Sequence, residues 1–108
     1  MSLYVVTGID VQGGEVENAI VGLVQKDVDG KTGVWETEEV HRVDLATLID
    51  RDDVYVGRWL DDNTIAAGSR VRLKPGQIEY AMSVDENGVP NDDLMRVAPF
   101  SPGKNDGD

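Results

Sequence analysis

The order of apolar and polar positions along the chain predicts a β-rich domain that contains one short helix. Runs rich in β-branched and aromatic residues, bounded by Gly, Asp, Asn or Pro, are typical of β-strands. Such runs lie at residues 3–9, 16–26, 34–43, 54–60, 64–67, 70–74 and 78–84. The second run is apolar on both faces and indicates a strand inside the sheet, whereas the third has no cleanly apolar face and indicates an edge strand.

The hydrophobic period changes once, inside the stretch ETEEVHRVDLATLID. Asp44 is a typical helix N-cap residue. Leu45, Leu48 and Ile49 then follow at the i, i+3 and i+4 positions of a helical stripe. This spacing predicts a helix over residues 44–51. A helix this short is not stable alone in water, so we expect its apolar stripe to pack on the sheet.

Short connections favour hairpins between consecutive strands. Gly13-Gly14, Pro75-Gly76 and Asn87-Gly88 are turn signals, and Gly68-Ser69 is expected to break the strand that starts near residue 64. The element order therefore predicts an α+β fold. Its antiparallel sheet is expected to be strongly curled or closed into a partial barrel, with the helix on one face or at an end.

The length of 108 residues predicts one domain. We expect that domain to span residues 1–100, with Leu94, Val97 and Phe100 packing its last segment. Residues 101–108 are rich in Gly, Pro and charge and are expected to form a disordered tail.

The charge balance is strongly acidic, with 21 Asp and Glu against 10 Lys and Arg and a net charge of −11. Such a chain is repelled by phosphate backbones and anionic lipid, so we expect neither direct nucleic-acid binding nor membrane binding. The acidity is explained by solubility, by adaptation to a salty cytoplasm, or by mimicry of nucleic acid. Residues 1–54 carry 12 of the acids and 4 of the bases, so most of the excess charge lies in the N-terminal half.

The chain has no cysteine, which excludes disulfides, thiolate nucleophiles and Cys-based zinc sites. Its first residues lack the basic segment of a secretory signal, and no apolar run approaches the ~20 residues that span a bilayer. We therefore expect a cytoplasmic protein.

No catalytic motif emerges from the spacing of reactive residues. The serines lie outside a Gly-x-Ser-x-Gly turn, and a single histidine is available as a base. Adjacent acids such as Asp52-Asp53, Asp61-Asp62 and Asp92-Asp93 point to opposite faces when they lie in a strand, so they make poor chelators. The sequence predicts a protein that is not an enzyme and holds no cofactor.

The expected interaction surface combines bases, aromatic residues and the histidine. Alternation places the three bases of residues 70–74 on one face of a strand, where they protect an edge, pair with acids across strands, or bind the acidic half of a second copy. Two aromatic residues flank Gly57 and either pack in the core or form a shallow ligand or peptide site. The residues of this surface are Arg58, Arg70, Arg72, Lys74, Tyr55, Trp59 and His41.

Three stretches resemble a family of small bacterial domains of unknown function. They are VDLATLID, VYVGRWL and IEYAMSVDENGVPNDDLMRVAPF. Members of the family place a short helix before a strand and close with a Thr-containing strand, an Asp-Asn-Leu-like turn and a proline. Asn91–Leu94 and Pro99 match that ending, although Asp93 stands where the family has Asn and Met82-Ser83 replaces its Arg-Thr pair. The resemblance covers most of residues 3–100 and implies no activity, because the family has none established.

The sequence thus predicts a small acidic bacterial protein that acts through protein contacts, with a protein partner or as a homodimer. One alternative is an acidic nucleic-acid mimic that inhibits a DNA-binding protein. Another is a small ligand-binding protein or hydrolase that uses carboxylates.

Overall fold

The computed structural model describes residues 3–26, 32–60, 65–76 and 80–101, with side chains except at residues 25, 26 and 32–35. The predicted tail beyond Ser101 and the starts of the strands predicted at residues 64 and 78 lie outside these ranges. No helix within them is long and apolar enough to cross a membrane.

Over the described residues the chain folds into strands, one α-helix and one short 3-10 helix. In chain order they are β1 (Leu3–Gln12), β2 (Glu15–Lys26), β3 (Thr32–His41), α1 (Arg42–Arg51), β4 (Asp53–Trp59), β5 (Ile65–Leu73), β6 (Ala81–Val84), β7 (Pro90–Asn91) and the 3-10 helix (Leu94–Arg96). The predicted β-rich α+β class is confirmed.

All described strands belong to one open sheet with the order β3-β2-β1-β4-β5-β6-β7. Neighbouring strands are antiparallel, as predicted, except that β1 and β4 are parallel. Parallel neighbours need a long crossover, and here β2, β3 and α1 supply it. As predicted, β3 lies at one edge of the sheet and β2 lies inside it; β7 forms the other edge.

The helix begins two residues earlier than predicted. Asp44 is not the N-cap but lies in the first helical turn, where its negative charge interacts favourably with the helix dipole. The N-cap is His41, whose backbone is extended (φ −76°, ψ 159°) and whose Nδ1 accepts a hydrogen bond from the Val43 N–H at 3.4 Å. The prediction failed because an imidazole nitrogen can cap a helix, so β3 runs into α1 without a linker.

The predicted break at Gly68-Ser69 is absent, and β5 is one continuous strand. A Cβ atom at Gly68 would lie 3.1 Å from the Val56 carbonyl oxygen, so glycine lets β5 lie close against β4. The register between β4 and β5 shifts between Tyr55 and Gly57, and β5 continues past this shift.

The core lies between the sheet and α1, as the apolar stripe predicts. Leu45 is 1% exposed, and Leu48 and Ile49 pack beside it at partial burial. Burying a leucine side chain in this way stabilises the fold by about 1.5–3 kcal/mol. The strand residues of the same core cluster are Val6, Ile9, Val16, Ala19, Val21, Val40, Val54, Val56, Val71 and Ala81.

The C-terminal segment packs on the domain, as predicted. Leu94 is 1% exposed and Val97 packs against the core. Ile9 donates its N–H to the Ala98 carbonyl at 3.0 Å and accepts the Phe100 N–H at 2.9 Å. The chain therefore runs parallel to β1 beyond Val6, where the pairing of β1 with β4 ends.

Candidate functional site

The outer edge of β3 is the longest unpaired strand edge among the described residues. β3 pairs only with β2, and its residues 36–39 are exposed. The side chains of Glu36, Glu38 and Glu39 have neither an ion pair nor a hydrogen bond within the described part of the chain. This edge is therefore acidic and exposed at residues 36–39. Charged side chains on both faces of an edge strand hinder its pairing with a like strand.

A groove lies beside this edge, on the face that carries Glu36 and Glu38. Register places Tyr4, Leu23 and Glu36 in one row across β1, β2 and β3, and Val21 beside Glu38 in the next. These side chains line a cavity of about 400 Å³. Its floor is apolar and aromatic, and its rim carries two carboxylates.

His41 belongs to an ionic cluster at the far end of β3. Its Nε2 lies 3.1 Å from Glu17 Oε1, and the Arg42 guanidinium donates to Glu17 Oε2. The hydrogen bonds from Arg42 and His41 stabilise the charged carboxylate, which holds the pKa of Glu17 below its usual range. Arg42 also lies over the Tyr80 ring, 5.4 Å from its centroid. The cluster ties the start of α1 to β2.

Two bases of the predicted surface are paired within the chain. Arg70 Nη2 lies 2.9 Å from Asp53 Oδ1 across β4 and β5, and the same guanidinium lies 5.6 Å from the Tyr55 ring centroid. Lys74 Nζ lies 2.5 Å from Oε1 of Glu15, which is at the start of β2. The predicted cross-strand pairing with acids is thus present at Arg70, and β5 is an interior strand rather than an edge.

The other bases and the aromatic residues do not converge on one site. Arg72 and Arg58 are exposed, without an ion pair in the described ranges. Tyr55 lines a groove of about 610 Å³ with Arg70 and Arg72, whereas Arg58 lines a separate groove of about 530 Å³. Trp59 is 55% exposed and lines neither of these grooves.

The position of a side chain at Gly57 is already occupied by neighbouring strands. A Cβ atom at Gly57 would lie 2.9 Å from the Val6 carbonyl oxygen and 3.0 Å from the Ile65 side chain. Glycine at this position therefore serves close packing between strands.

A hydrogen-bonded network near β7 was not foreseen from the sequence. Ser83 is 1% exposed; its hydroxyl donates to Asn91 Oδ1 at 2.6 Å and accepts the Leu94 N–H at 2.9 Å. The Asn91 amide donates to Ser69 Oγ at 3.1 Å, and Ser69 donates to Asp93 at 2.5 Å. The Asn-Asp-Asp-Leu motif was the only sequence feature that indicated this network, because only the fold brings the serines close to the motif.

Within the described ranges, no group of three or more His, Asp and Glu side chains could hold a metal ion. The aspartates 61 and 62 lie outside those ranges. Comparison with protein-family models, with curated proteins and with solved structures found no match.

Proposed function

We propose that this chain is a non-enzymatic protein-interaction domain that binds an extended, basic segment of another protein along the free edge of β3. The observation that carries the proposal is the outer edge of β3, which pairs with no other strand in the described part of the chain and has Glu36, Glu38 and Glu39 exposed beside it. Extended peptides bind such edges by adding a strand, in which backbone hydrogen bonds supply affinity and side chains supply specificity.

Charge complementarity favours a basic segment over a second copy of this chain. Two copies of β3 side by side would bring their glutamates together, which destabilises strand pairing. The basic surface is also partly occupied, because Arg70 and Lys74 bind Asp53 and Glu15 of the same chain. The net charge of −11 adds a general repulsion between copies.

The arrangement of carboxylates on β3 favours a short peptide as the partner. It does not favour a DNA-binding protein, which is the partner that a nucleic-acid mimic would have. A nucleic-acid mimic needs a long row of carboxylates on one face. In β3, Glu36 and Glu38 share a face, and alternation points Glu39 to the other.

We propose in addition that the sheet is strongly curled. The ion pair of Lys74 with Glu15 joins the end of β5 to the start of β2, although β1 and β4 lie between these strands. Shifts in register between β1 and β2, at Val6/Gly8 and Asp10/Val11, favour bending. The cytoplasm is the proposed compartment, because a chain without cysteine suits a reducing environment.

The test is a titration of isotope-labelled protein with a short synthetic peptide in which Arg alternates with Val and Thr. We expect chemical-shift changes at residues 36–41, together with slower hydrogen exchange of the β3 amides that do not bond to β2. The triple variant Glu36→Gln, Glu38→Gln, Glu39→Gln should weaken binding roughly tenfold, since exposed ion pairs contribute about 0.2–1 kcal/mol each.

A matched control neutralises three exposed acids elsewhere, through Asp44→Asn, Asp50→Asn and Glu86→Gln. This variant has the same net charge as the first and should bind within about twofold of the parent. Equal weakening by both triple variants would show non-specific attraction and would refute the proposal, as would unchanged exchange at β3.

A further inference from the structure

The groove beside β3 combines an apolar floor with an acidic rim. Val21 at its base is 1% exposed, and Tyr4 and Leu23 are half-buried beside it. Glu36 and Glu38 stand on the β3 side and have no ion pair within the described residues. A ligand that fills this groove therefore needs an apolar stem and a cationic head.

We infer that the groove takes one Arg or Lys side chain of the segment that pairs with β3, and so decides which basic segments bind. This inference rests on the proposed function and names the chemistry that selects the partner. Lys and Arg lay their methylene stems along apolar surface and keep the charged head at the polar rim. The Tyr4 ring adds a surface that attracts cations.

The geometry of strand addition selects a long side chain. A strand paired with β3 would lie about 4.8 Å outside it, and its alternate side chains would point to the face of Glu36 and Glu38. The floor at Leu23 and Val21 belongs to β2, one further strand spacing inward. Short side chains would end above β3, whereas Arg and Lys reach past the rim and onto the floor.

Apolar side chains fit this groove less well than cations. An apolar group would cover Glu36 and Glu38 without supplying a hydrogen bond, and a polar group that loses water without a partner costs free energy. An arginine meets both requirements, because its guanidinium can donate to two carboxylates at once.

The test compares two extended peptides that have the same, otherwise neutral sequence. One carries a single Arg, and the other carries citrulline in its place, which has the same shape but no charge. With the parent protein, citrulline should bind about fivefold more weakly. With the double variant Glu36→Gln, Glu38→Gln the two peptides should differ by less than about twofold. Glu39→Gln, which neutralises the opposite face of the same strand, should keep the fivefold difference.

The outcomes separate this inference from the proposed function. If both peptides slow exchange at the β3 amides but bind equally well, the edge binds a strand and the groove selects nothing. If Glu39→Gln removes the preference as fully as the double variant, general charge is responsible and the groove is again excluded. If neither peptide protects β3, the proposed function itself fails. Sedimentation of the free protein completes the test: a dimer that dissociates in the double variant would mean that a second copy fills the groove.

Discussion

At the β7 edge of the sheet polar side chains bind one another, whereas the exposed glutamates at the β3 edge face solvent and have no partner among the described residues. Ser83, Asn91, Ser69 and Asp93 form a continuous hydrogen-bonded network beside β7. The exposed glutamates of β3 make no such contacts in the described residues. Polar groups at the first edge therefore serve the fold, and those at the second remain available for another molecule.

The lengths of the two edge strands explain the difference. β7 has only two residues, and the chain then turns into the 3-10 helix that inserts Leu94 into the core. A very short strand offers little backbone to another chain, so it needs no further protection. β3 has ten residues, and its glutamates keep the longer edge from pairing with like strands.

The largest expected effect comes from breaking the network at β7 with Ser83→Ala. The change removes the hydroxyl that accepts the buried Leu94 N–H, and an unsatisfied buried donor costs about 1–3 kcal/mol. We expect the free energy of unfolding in urea to fall by that amount, with no change in the slope against urea.

Ser101→Ala is the control for this prediction, because Ser101 is exposed. Its unfolding free energy should lie within about 0.5 kcal/mol of the parent value. If Ser83→Ala were equally neutral, the network would not stabilise the β7 edge and the contrast between the two edges would disappear.

Local patterns predicted most elements of this fold, and contacts between distant residues account for what was missed. The longer strands, the turns and the apolar stripe of α1 follow from periodicity over a few residues, whereas the two-residue strand β7 was expected to be loop. The parallel pairing of β1 with β4 does not, because it depends on how the intervening elements pack. The continuity of β5 also depends on a partner strand, since Gly68 packs against the Val56 backbone.

The candidate site was likewise predicted in part by local patterns and missed in part because it depends on contacts between distant residues. Alternation indicated a polar edge strand near residues 34–43, and that edge is the one now proposed to bind. The basic residues were expected to act together, but Lys74 pairs with Glu15, 59 positions away, and Arg70 with Asp53. Sequence spacing gives the face of a single strand, whereas the ion pairs depend on the order of the strands and on which distant residues the fold brings together.

A smaller effect is expected from Glu17, the acid near β3 that does have partners. Arg42 and His41 lower its pKa from the usual 4.5, so the folded state binds fewer protons than the unfolded state just below that pH. The stabilisation is present above the unfolded pKa and is lost as the pH falls through the folded one. Glu17→Gln should therefore destabilise the protein at about pH 6, and the difference from the parent should shrink by about pH 3.

Urea unfolding across this pH range measures the effect, with Glu39→Gln as the comparison because Glu39 has no ion pair in the described residues. The difference between Glu39→Gln and the parent should stay nearly constant with pH. A difference for Glu17→Gln that also stayed constant would mean that the cluster does not stabilise the charged carboxylate.

The smallest effect on stability is expected where the largest effect on binding is proposed, at Glu36, Glu38 and Glu39. Surface changes away from specific contacts alter stability by less than about 0.5 kcal/mol. Neutralising all three removes repulsion between neighbouring carboxylates and breaks no ion pair among the described residues, so the triple glutamine variant should unfold at the parent's urea midpoint or slightly above it. A clear loss of stability would mean that these glutamates serve the fold, as the polar residues at β7 do. An unchanged midpoint together with weaker peptide binding would instead assign the charge of β3 to recognition.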